Sequence, residues 1–343
     1  MKKHVVSLLF FSFVFTMGCG STQSIKTSDV ANFNLKGSVK SIKSQSYYAK
    51  DSAGYVIKSS KGVGFGDFAY KDVAVKFNPE GSILNKATLG RNGQAESETR
   101  ITYNQNAEIV TEASYNSGSL EKTREFSYAT NGKLGIEKTT YPNTNSFYLR
   151  TYKYNNKGNV IEEAYLEITD KDTLLINKSK STHKYNKQGI KILSLTESDE
   201  EQRQLTYNEK GQLITDEVIK GFENMILPKH TYAYNEQGLL VKESDYYANN
   251  EFAFANHFTY NKDGMLIEKG SSTELNGEYK KEKEMRYNKL NQIIEQKSFD
   301  ENGNVTETIR LVYENDEKGN WIKRTVFTDN EPSNIVERII TYY

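Results

Sequence analysis

A short signature returns along the chain and constrains its fold more than any other feature. It reads aromatic-Asn-x-x-Gly, as in Tyr154-Asn-Asn-Lys-Gly158 and Tyr260-Asn-Lys-Asp-Gly264. Full and degenerate copies place the aromatic at ten positions, with a mean spacing of about 26 residues. The ten positions are Phe77, Tyr103, Tyr128, Tyr154, Tyr185, Tyr207, Tyr234, Tyr260, Tyr287 and Tyr313. A repeat this regular predicts an array of small units that pack on their neighbours.

The signature is typical of a β-hairpin. Asn suits the first position of a type I turn, and Gly suits the left-handed residue that ends it. In the resulting hairpin loop, the aromatic faces the residue two positions after Gly. That residue is apolar in nine of the ten copies. The exception is Lys191, and its neighbours Ile190 and Ile192 predict a local shift of one residue.

These hairpins predict an all-β fold. The fold class that we expect is a set of tandem β-hairpin repeats of about 26 residues, which form a long, curled or coiled antiparallel meander. About ten repeats fill residues 33–343. A single layer cannot bury its apolar face, so the meander should curl. The strand near Leu35 and the final strand from Ile335 should cap the two ends.

Four glutamates do not fit a simple alternation of apolar and polar side chains between the two faces of a strand. Each lies four residues after the turn glycine or its equivalent, which would place it on the aromatic face, where an unpaired carboxylate is costly. They are Glu162, Glu268, Glu295 and Glu307. Either the strand changes register there, or burial fades away from the turn. The sequence leaves both alternatives open.

The pattern resembles the YD repeat of Rhs-type bacterial surface and secreted proteins, which are built from Tyr-Asp-x-x-Gly hairpins. The resemblance extends from about Phe77 to Tyr343, with Asn in place of the usual Asp in most copies. It implies a divergent YD-repeat protein with an elongated or curled sheet. It also implies binding of carbohydrate or a cell-surface partner.

The N-terminus reads as an export signal. Residues 1–18 combine Lys2 and Lys3 with an apolar run too short to span a bilayer comfortably. Cys19, the only cysteine, follows in the position of the lipidated cysteine in a bacterial lipoprotein. Residues 19–32 are polar and predict a flexible tether. We therefore expect an outer-membrane lipoprotein of the cell envelope, held at the membrane through Cys19, with the membrane face left open.

Composition narrows the function by exclusion. The chain has 45 basic and 45 acidic residues, and a nucleic-acid partner would favour a basic surplus. One cysteine excludes a disulfide framework and a thiolate zinc site. The sequence contains none of the common nucleotide-binding or hydrolase motifs, so we predict no cofactor, no metal site and no catalytic residues. His183, His230 and His257 are each expected to be structural histidines with a bonding partner.

Tyrosine is the residue in evident excess, with 24 copies. The repeat aromatics face apolar partners and are expected to pack in the core. Tyrosines outside the pattern are better ligand candidates than the repeat aromatics, although cross-strand packing is the favoured role even for them. The candidates are Tyr246, Tyr247, Tyr165 and Tyr148. They favour a non-catalytic protein that binds a glycan or an envelope partner; the alternatives are an assembly scaffold and, less favoured, a carbohydrate-active enzyme.

Overall fold

The structure, a computed structural model, describes residues 29–62, 72–221, 228–275 and 277–343. The predicted signal segment, Cys19 and the tether up to residue 28 lie outside the described residues. Within the described ranges the chain forms one short helix and 23 strands. They are α1 (Asp29–Asn32), β1 (Val39–Ser52), β2 (Tyr55–Lys61), β3 (Val73–Phe77), β4 (Ile83–Leu89), β5 (Ala95–Tyr103), β6 (Ile109–Asn116), β7 (Ser119–Tyr128), β8 (Leu134–Thr140), β9 (Phe147–Tyr154), β10 (Val160–Ile168), β11 (Thr173–Tyr185), β12 (Lys191–Ser198), β13 (Gln202–Tyr207), β14 (Leu213–Lys220), β15 (Lys229–Tyr234), β16 (Leu240–Tyr246), β17 (Phe252–Tyr260), β18 (Leu266–Ser272), β19 (Lys280–Tyr287), β20 (Ile293–Phe299), β21 (Val305–Asn315), β22 (Trp321–Thr328) and β23 (Glu331–Tyr342).

The strands form one closed antiparallel sheet. From β3 onward, each strand pairs with the next along the chain. β1 pairs with β23 along one edge and with β3 along the other, which closes a ring of 22 strands. β2 folds back on the second half of β1. The predicted all-β curled meander is confirmed, but its first and last strands pair with each other rather than capping two separate ends.

The turns have the geometry that the signature predicts. In the copy that begins at Asn261, the side-chain oxygen accepts hydrogen bonds from the backbone N–H groups of Asp263 and Met265, at 3.0 and 2.9 Å. Gly264 adopts a φ of 77°. In two degenerate copies the left-handed position is held by Ala107 and Asn291, at φ 58° and 59°. The backbone conformation is therefore kept even where glycine is absent.

A β-bulge after the turn explains three of the four glutamates. Tyr154 pairs with Val160, but the residue before it, Lys153, pairs with Glu162, so one residue of β10 is left over. The extra residue moves Glu162 to the face opposite Tyr154, where its carboxylate lies 2.8 Å from the Lys153 ammonium. Equivalent shifts place Glu268 and Glu295 on the face opposite the repeat tyrosines, whereas Glu307 pairs with Ser298 and lies on the same face as Tyr313. The change of register is therefore the correct alternative for these three glutamates, while Glu307 stays half-buried on the aromatic face.

The repeat tyrosines do more than pack. In seven copies the tyrosine hydroxyl donates a hydrogen bond of 2.6–2.9 Å to a backbone carbonyl of the preceding repeat, two residues after its turn glycine or equivalent. We call this series the tyrosine ladder: Tyr103 to Ile83, Tyr128 to Ile109, Tyr154 to Leu134, Tyr234 to Leu213, Tyr260 to Leu240, Tyr287 to Leu266 and Tyr313 to Ile293. The rings stay half-buried, and burial raises the pKa of Tyr103 to about 12. The hydroxyl thus joins each repeat to the one before it.

The ladder changes where the repeat spacing is irregular. Nε2 of His183 lies 2.7 Å from the Val160 carbonyl, the group that a tyrosine hydroxyl contacts in the regular copies. The predicted shift at Lys191 is wrong, because Lys191 pairs directly with Tyr185. Its ammonium lies 4.7 Å from the centre of the Tyr207 ring, so the lysine is held by a cation–π contact.

One pairing that the signature predicts, that of Tyr313 with Trp321 two positions after Gly319, is wrong by two residues. Trp321 pairs with Asn315 rather than with Tyr313, because the last turn runs from Asp316 to Gly319. The Tyr313 and Trp321 rings still meet edge to face, with centroids 6.5 Å apart.

The best-buried hydrophobic cluster lies where the ring closes. We call this region the seam; it comprises α1, β1, β3 and β23. Its buried side chains are Val30, Leu35, Val39, Ile42, Val75 and Phe77. Residues 29–32 were predicted to belong to the tether, but they form α1, and Val30 donates a backbone hydrogen bond of 3.2 Å to Gly81. These residues are part of the fold because Val30 is apolar and belongs to the same buried cluster as Val75 and Phe77 of β3.

Candidate ligand-binding grooves

The four predicted tyrosines separate into two sites. The rings of Tyr148 and Tyr165 stack on each other, with centroids 5.7 Å apart and planes inclined by 21°. Tyr246 ends β16, whereas Tyr247 lies in the following turn with 45% of its surface exposed. The structure thus brings Tyr148 and Tyr165 together and places the other two elsewhere on the ring.

The two sites lie on opposite faces of the sheet. We call the face that carries the repeat aromatics the tyrosine face, and the other the polar face. Tyr165 pairs with Arg150, which lies four residues before Tyr154 in β9 and therefore on the tyrosine face. Tyr246 pairs with Lys229, five residues before Tyr234 in β15 and therefore on the polar face.

The site on the polar face is a groove of about 570 Å³, which we call the Tyr246 groove. It crosses the four strands β13–β16 and the turn after them. Its lining residues are Gln204, Thr206, Thr215, Glu217, Lys229, Thr231, Tyr246 and Asn250. Three threonine hydroxyls lie side by side because Thr206 pairs with Thr215 and Thr215 pairs with Thr231.

Charge in the Tyr246 groove is balanced. The Lys229 ammonium lies 3.7 Å from a carboxylate oxygen of Glu217, 3.5 Å from the Asn250 amide oxygen and 5.8 Å from the centre of the Tyr246 ring. Phe252 supports the Tyr246 ring edge to face, with centroids 5.8 Å apart. The groove therefore offers one supported aromatic ring beside hydroxyl and amide groups, with its two charges paired.

The site on the tyrosine face is smaller, at about 130 Å³, and we call it the Tyr165 cleft. Its lining residues are Lys122, Arg124, Glu137, Thr139, Tyr141, Tyr148, Arg150 and Tyr165. Arg150 lies over the Tyr165 ring at 5.2 Å, and Arg124 binds Glu137 at 2.9 Å. Because its aromatic rings stack on each other and Arg124 is ion-paired, the cleft fits the packing alternative for Tyr148 and Tyr165 better than a ligand site.

A cluster of titratable groups lies directly behind the Tyr246 groove, on the tyrosine face. Nδ1 of His230 is hydrogen-bonded to the buried carboxylate of Asp245, and this bond raises the pKa of His230. In the next strand Asp216 receives two hydrogen bonds of 2.6 Å from Arg203. Burial raises the pKa of Glu243, which neighbours Asp245 on the same face. The strands β13, β14 and β15 contribute one member each to this cluster, and β16 contributes two.

The three described histidines all have partners, as predicted. His183 lies 3.0 Å from the Ser194 hydroxyl and also contacts Val160, His230 binds Asp245, and His257 lies 3.0 Å from the Ser272 hydroxyl. In the described part of the chain, no group of three His, Cys, Asp or Glu side chains is arranged to hold a metal ion. Likewise, none of the helices in the described ranges is long and apolar enough to cross a membrane.

Sequence reasoning missed the threonine row of the groove. The positions of two of these threonines in the repeat could have indicated the row, because Thr206 precedes a repeat tyrosine and Thr215 lies four residues after the turn glycine. Those two positions face each other only once the bulge is known. Without it, simple alternation assigns Thr215 to the tyrosine face.

Comparisons with known proteins add little to this description. No protein-family model matches the chain, and no curated protein sequence matches it. Among solved structures, TcdB2-TccC3-TEV is 12% identical with a TM-score of 0.30, and the match covers 76% of this chain but only 15% of that one. A porin-like protein from Bacteroides uniformis is 11% identical with a TM-score of 0.27, over 64% of this chain and 95% of that one. TM-scores this low carry no argument about function.

Proposed function

We propose that this chain is a non-catalytic lipoprotein of the cell envelope that binds a neutral glycan in the Tyr246 groove. The observation that carries the proposal is the supported Tyr246 ring beside a row of threonine hydroxyls in a groove of about 570 Å³. A volume of several hundred Å³ is typical of small-ligand sites. The groove can therefore hold a short oligosaccharide.

The chemistry of the lining favours a sugar over other ligands. A sugar presents an apolar ring face and a rim of hydroxyl groups. The Tyr246 ring would cover the apolar face, and Gln204 and Asn250 would serve as hydrogen-bond donors and acceptors around it. Lys229 and Glu217 are paired with each other, so the groove has no surplus charge to attract an ionic ligand. This pairing is why we propose a neutral glycan.

The envelope location is supported by the N-terminal sequence. The apolar run before Cys19 suits export and lipidation, and the hairpin repeats suit a divergent YD-repeat protein. If Cys19 carries the lipid, Cys19→Ser should move the protein from the membrane fraction to the soluble fraction. Continued tight membrane association of that variant would contradict the anchor.

Binding can be tested by screening the full chain on an array of envelope oligosaccharides and titrating the strongest neutral hit by calorimetry. We expect Tyr246→Ala to weaken that affinity by about fivefold, because an aromatic contact contributes about 1 kcal/mol. Tyr247→Ala is the matched control, since Tyr247 is exposed and adjacent but does not line the groove. An array without neutral hits, or equal losses in the two variants, would overturn the proposal.

A further inference from the structure

The first half of β11 has an open strand edge. β10 pairs with β11 from Thr173 to Lys180, but β12 pairs with β11 only from Ser179 to Tyr185. On the β12 side, residues 173–178 therefore have no partner strand among the described residues. An open edge presents unpaired backbone N–H and C=O groups and can accept another strand.

This edge carries an exposed apolar segment. Leu174, Leu175 and Ile176 are consecutive, and 59%, 50% and 44% of their surfaces are exposed. Ile176 is the extra residue of a bulge, because Leu175 pairs with Leu166 and Asn177 pairs with Tyr165. The long repeat between Tyr154 and Tyr185 thus places three adjacent aliphatic side chains beside a free ladder.

The sequence of the edge is complementary to itself. Residues 173–178 of this edge and Asp172, which lies just before β11, read Asp-Thr-Leu-Leu-Ile-Asn-Lys in chain order. A polar and a charged residue therefore flank the apolar centre on each side, with opposite charges at the two ends. In an antiparallel pairing of two copies about a two-fold axis at Leu175, every position meets a compatible one. The pairs are Asp172 with Lys178, Thr173 with Asn177, Leu174 with Ile176, and Leu175 with Leu175 of the second copy.

From this self-complementary open edge we infer that two copies of the chain associate through antiparallel pairing of residues 172–178. The contact is isologous, because the same segment serves both copies. The ladder hydrogen bonds are shared across the axis, and the aliphatic side chains cover one another. Lys178 already lies 3.3 Å from Glu162, so in the dimer it bridges Glu162 of its own chain and Asp172 of the other. This inference is independent of glycan binding.

Disulfide trapping tests the register. In a Cys19→Ser background, Leu175→Cys places two sulfurs at the two-fold axis, where directly opposed strand residues are close enough to cross-link on mild oxidation. The control is Leu120→Cys on β7, since Leu120 is similarly exposed, at 40%, but lies outside the segment. We expect a covalent dimer from Leu175→Cys only. Equal cross-linking of the two variants would overturn the inference.

Exchanging the charges at the two ends of the segment tests whether a second copy of the chain occupies the edge. In sedimentation velocity of the full chain in mild detergent, we expect a concentration-dependent dimer. Asp172→Lys should weaken it about tenfold, because like charges then meet at both ends of the ladder. Adding Lys178→Asp to that variant should restore the dimer. A wild-type chain that stays monomeric at about 100 µM, where even weak pairs associate, or a double variant no better than Asp172→Lys, would show that a second copy is not the occupant.

Discussion

The seam and the rest of the ring, which we call the wall, are stabilised in different ways. At the seam, α1 adds a second layer over β1 and β3, so that Phe77 and Ile42 are almost fully buried, each with 1% of its surface exposed. In the wall, no apolar side chain between Ala95 and Tyr207 is fully buried, and the buried ones beyond Tyr207, such as Ala255 and Leu311, lie singly on separate strands. A single layer cannot cover its own face. The wall instead relies on half-buried rings and on hydrogen bonds that recur in each repeat.

The two regions therefore have different structural roles: the wall extends the sheet, and the seam closes it. The wall can lengthen by adding hairpins, because each hairpin joins the previous one through the same turn, bulge and tyrosine bond. Closure happens once and joins residues nearly the whole chain apart, as in the pairing of Ile42 with Ile340. Such a contact has a large loop-closure cost, and the buried cluster offsets it.

The largest expected effect is at the seam. Phe77→Ala should lower the free energy of unfolding by about 3–5 kcal/mol, because it removes a buried aromatic ring and leaves a cavity. Urea unfolding followed by circular dichroism measures this value. Tyr260→Ala is the matched variant in the wall, where the ring is half-exposed, and it should cost less. Equal losses would show that seam and wall do not differ in the way described.

The next effect concerns the hydrogen-bonded pair of His230 and Asp245 in the wall. The pKa of His230 is raised in the folded chain, so the stability from its charged form is complete below its unfolded pKa of about 6.5 and is lost as pH rises through the folded pKa. The pKa of Glu243 is also raised, so protonation relieves its burial as pH falls toward its unfolded value. Both groups make the wall more stable in mild acid than in mild alkali.

Urea unfolding at about pH 6 and about pH 8 tests this sign. We expect the free energy of unfolding of the wild-type chain to fall by about 1–2 kcal/mol from the lower to the higher pH, which is about the contribution of a charged hydrogen bond. His230→Gln should remove most of that difference, whereas His183→Gln should keep it because His183 contacts only neutral groups. A greater stability of the wild type at the higher pH would contradict the assignment.

The sequence predicted the wall better than the seam. Hairpin, turn and face all follow from local rules, and Asn261 and Gly264 behave as those rules require. The bulge was only one of two alternatives, because its effect appears in the pairing of Lys153 with Glu162 and not in either strand alone. The closure of the ring was not predicted, because no sequence pattern near Ile42 indicates that it pairs with Ile340. A long-range pairing has no local signature.

The candidate site shows the same division. Tyr246 was predicted as an aromatic outside the repeat pattern, and its place in a groove follows from that local departure. Thr231 and Asn250 were not predicted, because they reach the groove only through the pairing of four strands. The stacking of Tyr148 on Tyr165 is likewise a diagonal contact between neighbouring strands, which the spacing of the two residues does not reveal.

The smallest expected effect isolates the bond that recurs in the wall. Tyr260→Phe keeps the ring and removes the hydroxyl that donates to the Leu240 carbonyl at 2.8 Å, so it should cost about 1 kcal/mol. Urea unfolding measures it against Tyr55→Phe, whose ring is 75% exposed and whose hydroxyl lies outside the ladder. If both variants unfold like the wild type, the repeat tyrosines act by packing alone. A loss confined to Tyr260→Phe would explain why the repeat uses tyrosine where phenylalanine would fill the same space.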